Sequence, residues 1–452
     1  MSLGLFHRAL LRCGALAVIF AHGALSAAPY SLGWNDPTNI WDAPVPGFTG
    51  PDGEGKARLP DGFGGFTNER NAVNPLFFGW ARGWTDYVRA DGQTAFNDAA
   101  LALGPVTGDE FDVVSLGDLT AAQIASAAPV GRVTLSFTDA QHPAPIRDLP
   151  GADFVVFENG VVAASGTGGA GVGGVFAELA YVEVSSDGVN FARFPSVSLT
   201  PGTVTTNETL HRYDTLNPTN VFNLAGKHVN AAGDCWGTPF DLAALASHPL
   251  VTAGTVNLSN IRFVRVVDIP GNGSFLDSAQ PAPHAIFDPW RTVGSGGFDL
   301  EAIGVISVAV TFDAWQDLQG LTGAQRGPLA DPDGDGVPNL VEYAFGLQPL
   351  TPDAGLLPAA SSGGPAFSVS FRRDTRAANL VLEVLGTAAL DQPWQVIARS
   401  TGGGPLLAVT PAAPVIEDAS ASPIASIGVI RRHHVHAIPG QRFLKIAVSL
   451  TP

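Results

Sequence analysis

The chain has 452 residues, with 41 acidic against 24 basic side chains, a formal charge of −17, and only 14% charged residues beside 53 Gly and 35 Pro. The acidity speaks against nucleic acid or anionic lipid as a partner, because both need a basic face. The Gly and Pro excess speaks against long helices, leaving short strands closed by turns, and the length allows two or three domains of about 100–200 residues.

At the N-terminus, His7, Arg8 and Arg12 precede the apolar run Cys13 to Phe20, and Ala24, Ser26, Ala27 and Ala28 follow. This layout predicts a secretory signal peptide over residues 1–28. Lipid attachment at Cys13 would need a small residue before it, and Arg12 stands there. The expected destination is outside the cell or at its surface, with the periplasm as the other option. No later stretch approaches the ~18 uninterrupted apolar residues of a membrane span, so membrane insertion is not expected. Removing the signal leaves Cys235 as the sole cysteine and 22 basic against 41 acidic residues, a charge of −19. A disulfide within the mature chain is therefore ruled out, and sheet packing and bound metal must carry stability.

Residues 29–311 read as the first β domain. Its opening is turn-rich, and "FDVVSLG", "GRVTLSF", "DFVVFENG", "IRFVRVVDI" and "FDLEAIGVISVAVTF" then supply short Val- and Phe-rich strands. "AYVEVSSDGVNFARF" predicts an alternating hairpin around Ser186-Asp187-Gly188, with Glu183 facing solvent. Seven or eight such strands make an antiparallel sandwich. The Gly-rich 165–174 lacks the Gly-Lys-Ser/Thr ending of a phosphate loop. "DAWQDLQGL" and "PNLVEYAFG" predict two short helices within a connector at 312–350; a loose linker, 351–365, leads to a smaller sandwich at 366–452.

The connector carries "LADPDGDGVPNLVEYAFG". Counted from Asp331 as position one, Asp331, Asp333, Asp335 and Glu342 fall at one, three, five and twelve. Gly336 is at six, Val337 offers its carbonyl at seven, and Asn339 is at nine. This is the ligand order of an EF-hand calcium loop, in which alternate side chains converge on one hard cation. Pro338 at position eight has no N–H to bridge to a partner loop. The expectation is a single Ca2+ fixing a corner of the chain, with recognition elsewhere.

The segment "ADPDGDGVPNLVEYAFGLQP" followed by "FSVSFRRD", "LVLEVLGTAAL", "WQVIARS" and "RFLKIAVS" resembles the calcium segment and terminal sandwich of many exported bacterial proteins, particularly of Verrucomicrobia-like lineages. The loop itself is similar to thrombospondin type 3 and dockerin loops. "DAPVPGFTGPDGEG", "ALGPVTGDEFDVVSLGDL", "FAELAYVEVSSDGVNFARFPS", "NLAGKHVNAAGDCWGTPFDL" and "GSGGFDLEAIGVI" resemble an uncharacterised group of bacterial cell-surface proteins. That resemblance spans nearly the whole mature chain. It implies export and a jelly-roll-like sandwich without naming a reaction, and the Gly-rich insertion near 165–174 departs from it.

For chemistry, Glu158, Glu178 and Glu183 could supply the acid pair of a glycosidase, although Glu158 in "ENG" and Glu183 read more readily as surface acids. No G-x-S-x-G elbow occurs. "RRHHVHA" puts His434 and His436 on one strand face, read as a solvent-facing edge without enough ligands for zinc. Cys235 reads as a small buried thiol. Trp34, Trp41, Trp80, Trp84, Trp236 and Trp290 fall in turn-rich segments where flat rings stack on sugars, and Trp80, Trp236 and Trp290 are the candidate ligand-binding residues. The leading expectation is a non-catalytic binder of a glycan or other extracellular small ligand. A glycan-directed hydrolase is the alternative, marked by buried paired acids in a first-domain cleft; a structural surface-layer component is the third.

Overall fold

The computed structural model describes residues 35, 42–138, 145–149, 151–163, 174–200, 205–306, 310–361, 367–409, 415–418 and 430–451. The expected signal segment, Trp34, Trp41 and nearly all of the Gly-rich stretch lie outside them. The architecture is mostly β, built of antiparallel sheets with a few short helices.

Two sheets form the first sandwich. One orders Val45–Pro46, Trp236–Phe240, Phe154–Glu158, Asp299–Val305 and Gly79–Trp80, with Val114–Ser115 also paired to Asp299–Val305. The other orders Ala192–Arg193, Ala180–Ser185, Phe263–Asp268, Arg132–Ser136 and Gly83–Val88. Phe154, Val156 and Ile303 of the first sheet share one core with Val133, Leu135, Val182, Val184, Val264 and Val266 of the second. The alternate residues Val155, Phe157 and Ala302 join Val45, Phe77 and Cys235 in a second core under the turn-rich opening segment. Phe154–Glu158 and Asp299–Val305 are thus buried on both faces, so they read as continuous apolar runs. Cys235 is fully buried, as expected.

Ala180–Ser185 pairs antiparallel with Ala192–Arg193 through the expected turn, where Gly188 takes φ +77°. The strand does not alternate in exposure: all six residues are buried. Glu183 is 5% exposed because Arg193 and Arg265 close over it at 2.8 and 2.6 Å, correcting the solvent-facing expectation. The guanidiniums in turn lie over the rings of Tyr181 and Phe191. Two snorkelling arginines cover what would otherwise be an open sheet face.

Phe312–Leu318 and Asn339–Phe345 are the expected helices, with Gly346 capping the second. Phe312, Trp315 and Tyr343 pack on one another with ring centroids 5.5–5.7 Å apart. The last sandwich pairs one sheet of Ala359–Ser361, Ser368–Asp374, Ile430–His436 and Val415–Asp418 with another of Leu407–Ala408, Gln395–Thr401, Leu380–Thr387 and Phe443–Leu450. Part of the expected linker is therefore structured, since Ala359–Ser361 is an edge strand. Ile430–His436 is flanked on both sides, not at an edge: His433 is fully buried, and His434 bonds Ser370 at 2.7 Å. No helix among the described residues is long and apolar enough to cross a membrane.

Candidate functional site

Among the described residues, an acidic loop and an acid-lined cleft both concentrate chemistry that packing alone does not explain. The first is the acidic loop. Asp331 accepts the Gly334 and Gly336 amides through its two oxygens, each at 3.0 Å, and Gly336 takes φ +87°, which bends the chain back on itself. Asp333 accepts from Asp335 at 3.1 Å, and Asp335 from Val337 at 2.9 Å. These bonds leave carboxylate oxygens of Asp331, Asp333 and Asp335 within 4.8 Å of one another.

Asn339 and Glu342 close the loop from the following helix, and both are fully buried. Asn339 donates its amide to the Gln325 and Gly327 carbonyls at 2.8 and 3.1 Å, which leaves its Oδ1 without a partner. Both Glu342 oxygens also lack partners. Burial, then the charges of Asp333, Asp353, Asp335 and Asp331, push the Glu342 carboxyl up to about 8. A buried carboxylate facing only other acids is expensive unless a cation joins it. The donor set is all hard oxygen, which suits Ca2+. Of the six sequence-predicted positions, Asp331, Asp333 and Asp335 are brought together, Val337 follows them in the loop, and Asn339 and Glu342 lie on the Asn339–Phe345 helix. Sequence reading missed Asp353, which lies past the helix and whose backbone N–H donates to Asp335 at 2.8 Å.

The second place is a cleft of about 410 Å³ in the first sandwich, lined by Glu158, Glu178, Asp299, Asn159, Thr292 and Ser295 among others. Glu158 ends the Phe154–Glu158 strand, and its Oε2 accepts the Gly160 amide at 2.9 Å. Asp299 starts a neighbouring strand and accepts from Ser115. Glu178, just before Ala180–Ser185, has Oε1 without a partner. All three are under 5% exposed, so the surface reading of Glu158 is overturned by its place at the buried end of a central strand.

Burial raises Glu158 and Glu178 well above the ordinary carboxylate range, and the Asp299 charge adds to both. Asp299 itself is pushed to about 7 by burial, opposed by hydrogen bonds from Ser115 and Ser295 and by the charge of Arg89. At the mouth, Phe111 and Tyr213 are 66% and 70% exposed. Phe111 also borders an adjoining groove of about 540 Å³ with Phe48, Phe66 and Leu101. Sequence reading missed Asp299, Phe111 and Tyr213; the one available signal was an acid heading the apolar run "FDLEAIGVI".

The tryptophans are dispersed. Trp290 is 1% exposed and donates its indole N–H to the Leu119 carbonyl, so its ring belongs to the core and not to a ligand face. Trp80 packs on Phe77 and Phe157 at 4.8 and 6.2 Å, and Trp236 covers Gly55. Trp84, 46% exposed, meets Tyr87 edge-on. Asp42 pairs with buried Lys227, and Asp52 with Arg70 at 2.9 Å. Comparison with family models, curated proteins and solved structures returned no match.

Proposed function

We propose that this is an exported protein whose first sandwich binds an extracellular glycan in the acid-floored cleft, while a calcium ion in the Asp331–Glu342 loop fixes the connector to the last sandwich. One observation carries the reading: three buried acids, Glu158, Glu178 and Asp299, share a cleft whose mouth presents two exposed aromatic rings. Rings at the rim stack on sugar faces, and carboxyls held neutral at the floor both donate and accept hydrogen bonds to hydroxyls. When bound, calcium supplies a positive centre for otherwise repelling oxygens. The chain's own part is to hold them in place through the Gly334, Gly336 and Val337 amides.

A glycan array followed by calorimetry tests the binding. Wild type is expected to retain a saccharide, and Phe111→Ala with Tyr213→Ala to weaken it at least tenfold. Absence of binding to every saccharide defeats the reading.

Hydrolysis of the bound glycan is the second reading, favoured by the buried acid set itself. It requires one neutral and one ionised carboxyl, and Asp299, at about 7, is the group nearest to dividing from Glu158 and Glu178. Because burial keeps the floor largely uncharged at neutral pH, binding is placed first. Release of reducing ends by wild type and its loss in Glu178→Gln, with saccharide affinity kept, would put hydrolysis ahead.

A further inference from the structure

Asp353 lies beyond the EF-hand-like spacing, in the turn between the Asn339–Phe345 helix and the Ala359–Ser361 strand. It is nonetheless built into the acidic loop. Oδ2 of Asp335 accepts the backbone amides of both Asp353 and Ala354, each at 2.8 Å. Oδ2 of Asp353 accepts the Gln348 amide at 3.1 Å, which fixes the orientation of the carboxylate. Its Oδ1 is buried without a partner, as are Oδ2 of Asp333, Oδ1 of Asn339 and both oxygens of fully buried Glu342.

We infer that Asp353 is an additional ligand of the cation, supplied from outside the loop, so that one ion ties the turn leading into the last sandwich to the connector; this rests on the calcium reading above. Ligand number supports it. Asp331, Asp333 and Asp335 give one oxygen each, the Val337 carbonyl one, Asn339 one and a bidentate Glu342 two, seven in all, and Ca2+ takes six to eight, so one further place is open. An oxygen from Asp353 fills a place that a self-contained loop leaves to water.

The consequence is mechanical. Without the ion, the Gln348–Leu357 segment is held to the loop by hydrogen bonds to carboxylates that repel one another; with it, two segments share a charge.

The test is calcium titration of the chelator-treated full chain by calorimetry, with hydrogen exchange across 348–357, for wild type, Asp353→Asn and Glu342→Gln. Asparagine keeps an acceptor for the Gln348 amide and leaves the backbone bonds to Asp335 in place, so folding is preserved. Asp353→Asn is expected to bind calcium ten- to a hundredfold more weakly than wild type and to lose most of the calcium-induced slowing of exchange. Glu342→Gln is expected to lose calcium binding altogether. Equal affinity and equal protection in wild type and Asp353→Asn overturn the inference and leave the loop reading intact. A wild type that takes up no calcium defeats both.

Discussion

Arg376 of the last sandwich lies 3.6 Å over the ring of Phe78 in the first and donates to the Leu76 carbonyl at 3.1 Å. The same guanidinium is held bidentate by Asp374, with bonds of 2.7 and 2.9 Å, and both side chains are nearly buried. Beside it, Val310 bridges to Ala377 in parallel, so the two sandwiches meet along backbone as well as side chain.

Arg376→Ala should therefore be among the most damaging single changes. It strands the Asp374 carboxylate in a buried place and removes the contacts to Leu76 and Phe78. Breaking a buried pair from one side costs about 3–5 kcal/mol, which denaturant unfolding measures. Arg376→Lys should recover less than half, because an ammonium offers no planar fork to the carboxylate and stacks poorly.

The parts legible from sequence are those written in consecutive residues. The loop from Asp331 to Glu342 could be read position by position because its candidate oxygens recur at fixed spacing within twelve consecutive residues. The strands announced themselves through Val and Phe runs, and the Ser186–Gly188 turn through its glycine. The cleft could not be read this way. Glu158, Glu178 and Asp299 meet only after two sheets close, across up to 141 positions of chain, and nothing local distinguishes them from surface acids. Glu183 misled for a related reason: period-2 alternation assigns faces but cannot say that Arg193 and Arg265 will cover the outer one. Trp290 misled because a turn-rich surrounding does not imply exposure when the turn folds over the core.

Stability should fall as pH rises from about 5 to about 8. Burial, the first cause in each case, pushes Asp118 and Asp299 up to about 7 and Glu301 to about 8, and all three are at most 2% exposed. Their folded pKa values lie above the ~4 of the unfolded chain. The folded state thus holds protons that the unfolded state has released, and stability drops through that window. Each tenfold of proton affinity is worth about 1.4 kcal/mol. Glu301→Gln isolates one contributor, since its Oε1 accepts from the Thr107 and Gly108 amides and an amide oxygen does the same. At fixed calcium, Tm of Glu301→Gln should match wild type near pH 5 and exceed it at pH 8. A wild-type Tm that rises steadily from pH 5 to 8 would contradict the assignment.

Gly226 links the backbone to the cleft floor. It takes φ +97°, and a Cβ there would lie 2.1 Å from the Glu178 carbonyl oxygen and 3.3 Å from the Phe298 ring. The close approach is held by reciprocal bonds between Ala225 and Ala180 at 3.0 and 3.3 Å, one residue from Gly226 and two from Glu178. Gly226→Ala therefore meets two penalties, an unfavourable φ of about 1–3 kcal/mol and a clash with backbone that cannot rotate away. Relieving the clash moves Glu178, so under the proposed binding function saccharide affinity should fall together with stability. Gly254 provides the control: its φ is +73° and a Cβ would meet nothing within 4 Å, so Gly254→Ala carries the conformational penalty alone. Denaturant unfolding of the two variants should show Gly226→Ala losing the more, by roughly 1 kcal/mol or beyond. Equal losses would mean that residue 226 does not press on the strand entrance that positions Glu178.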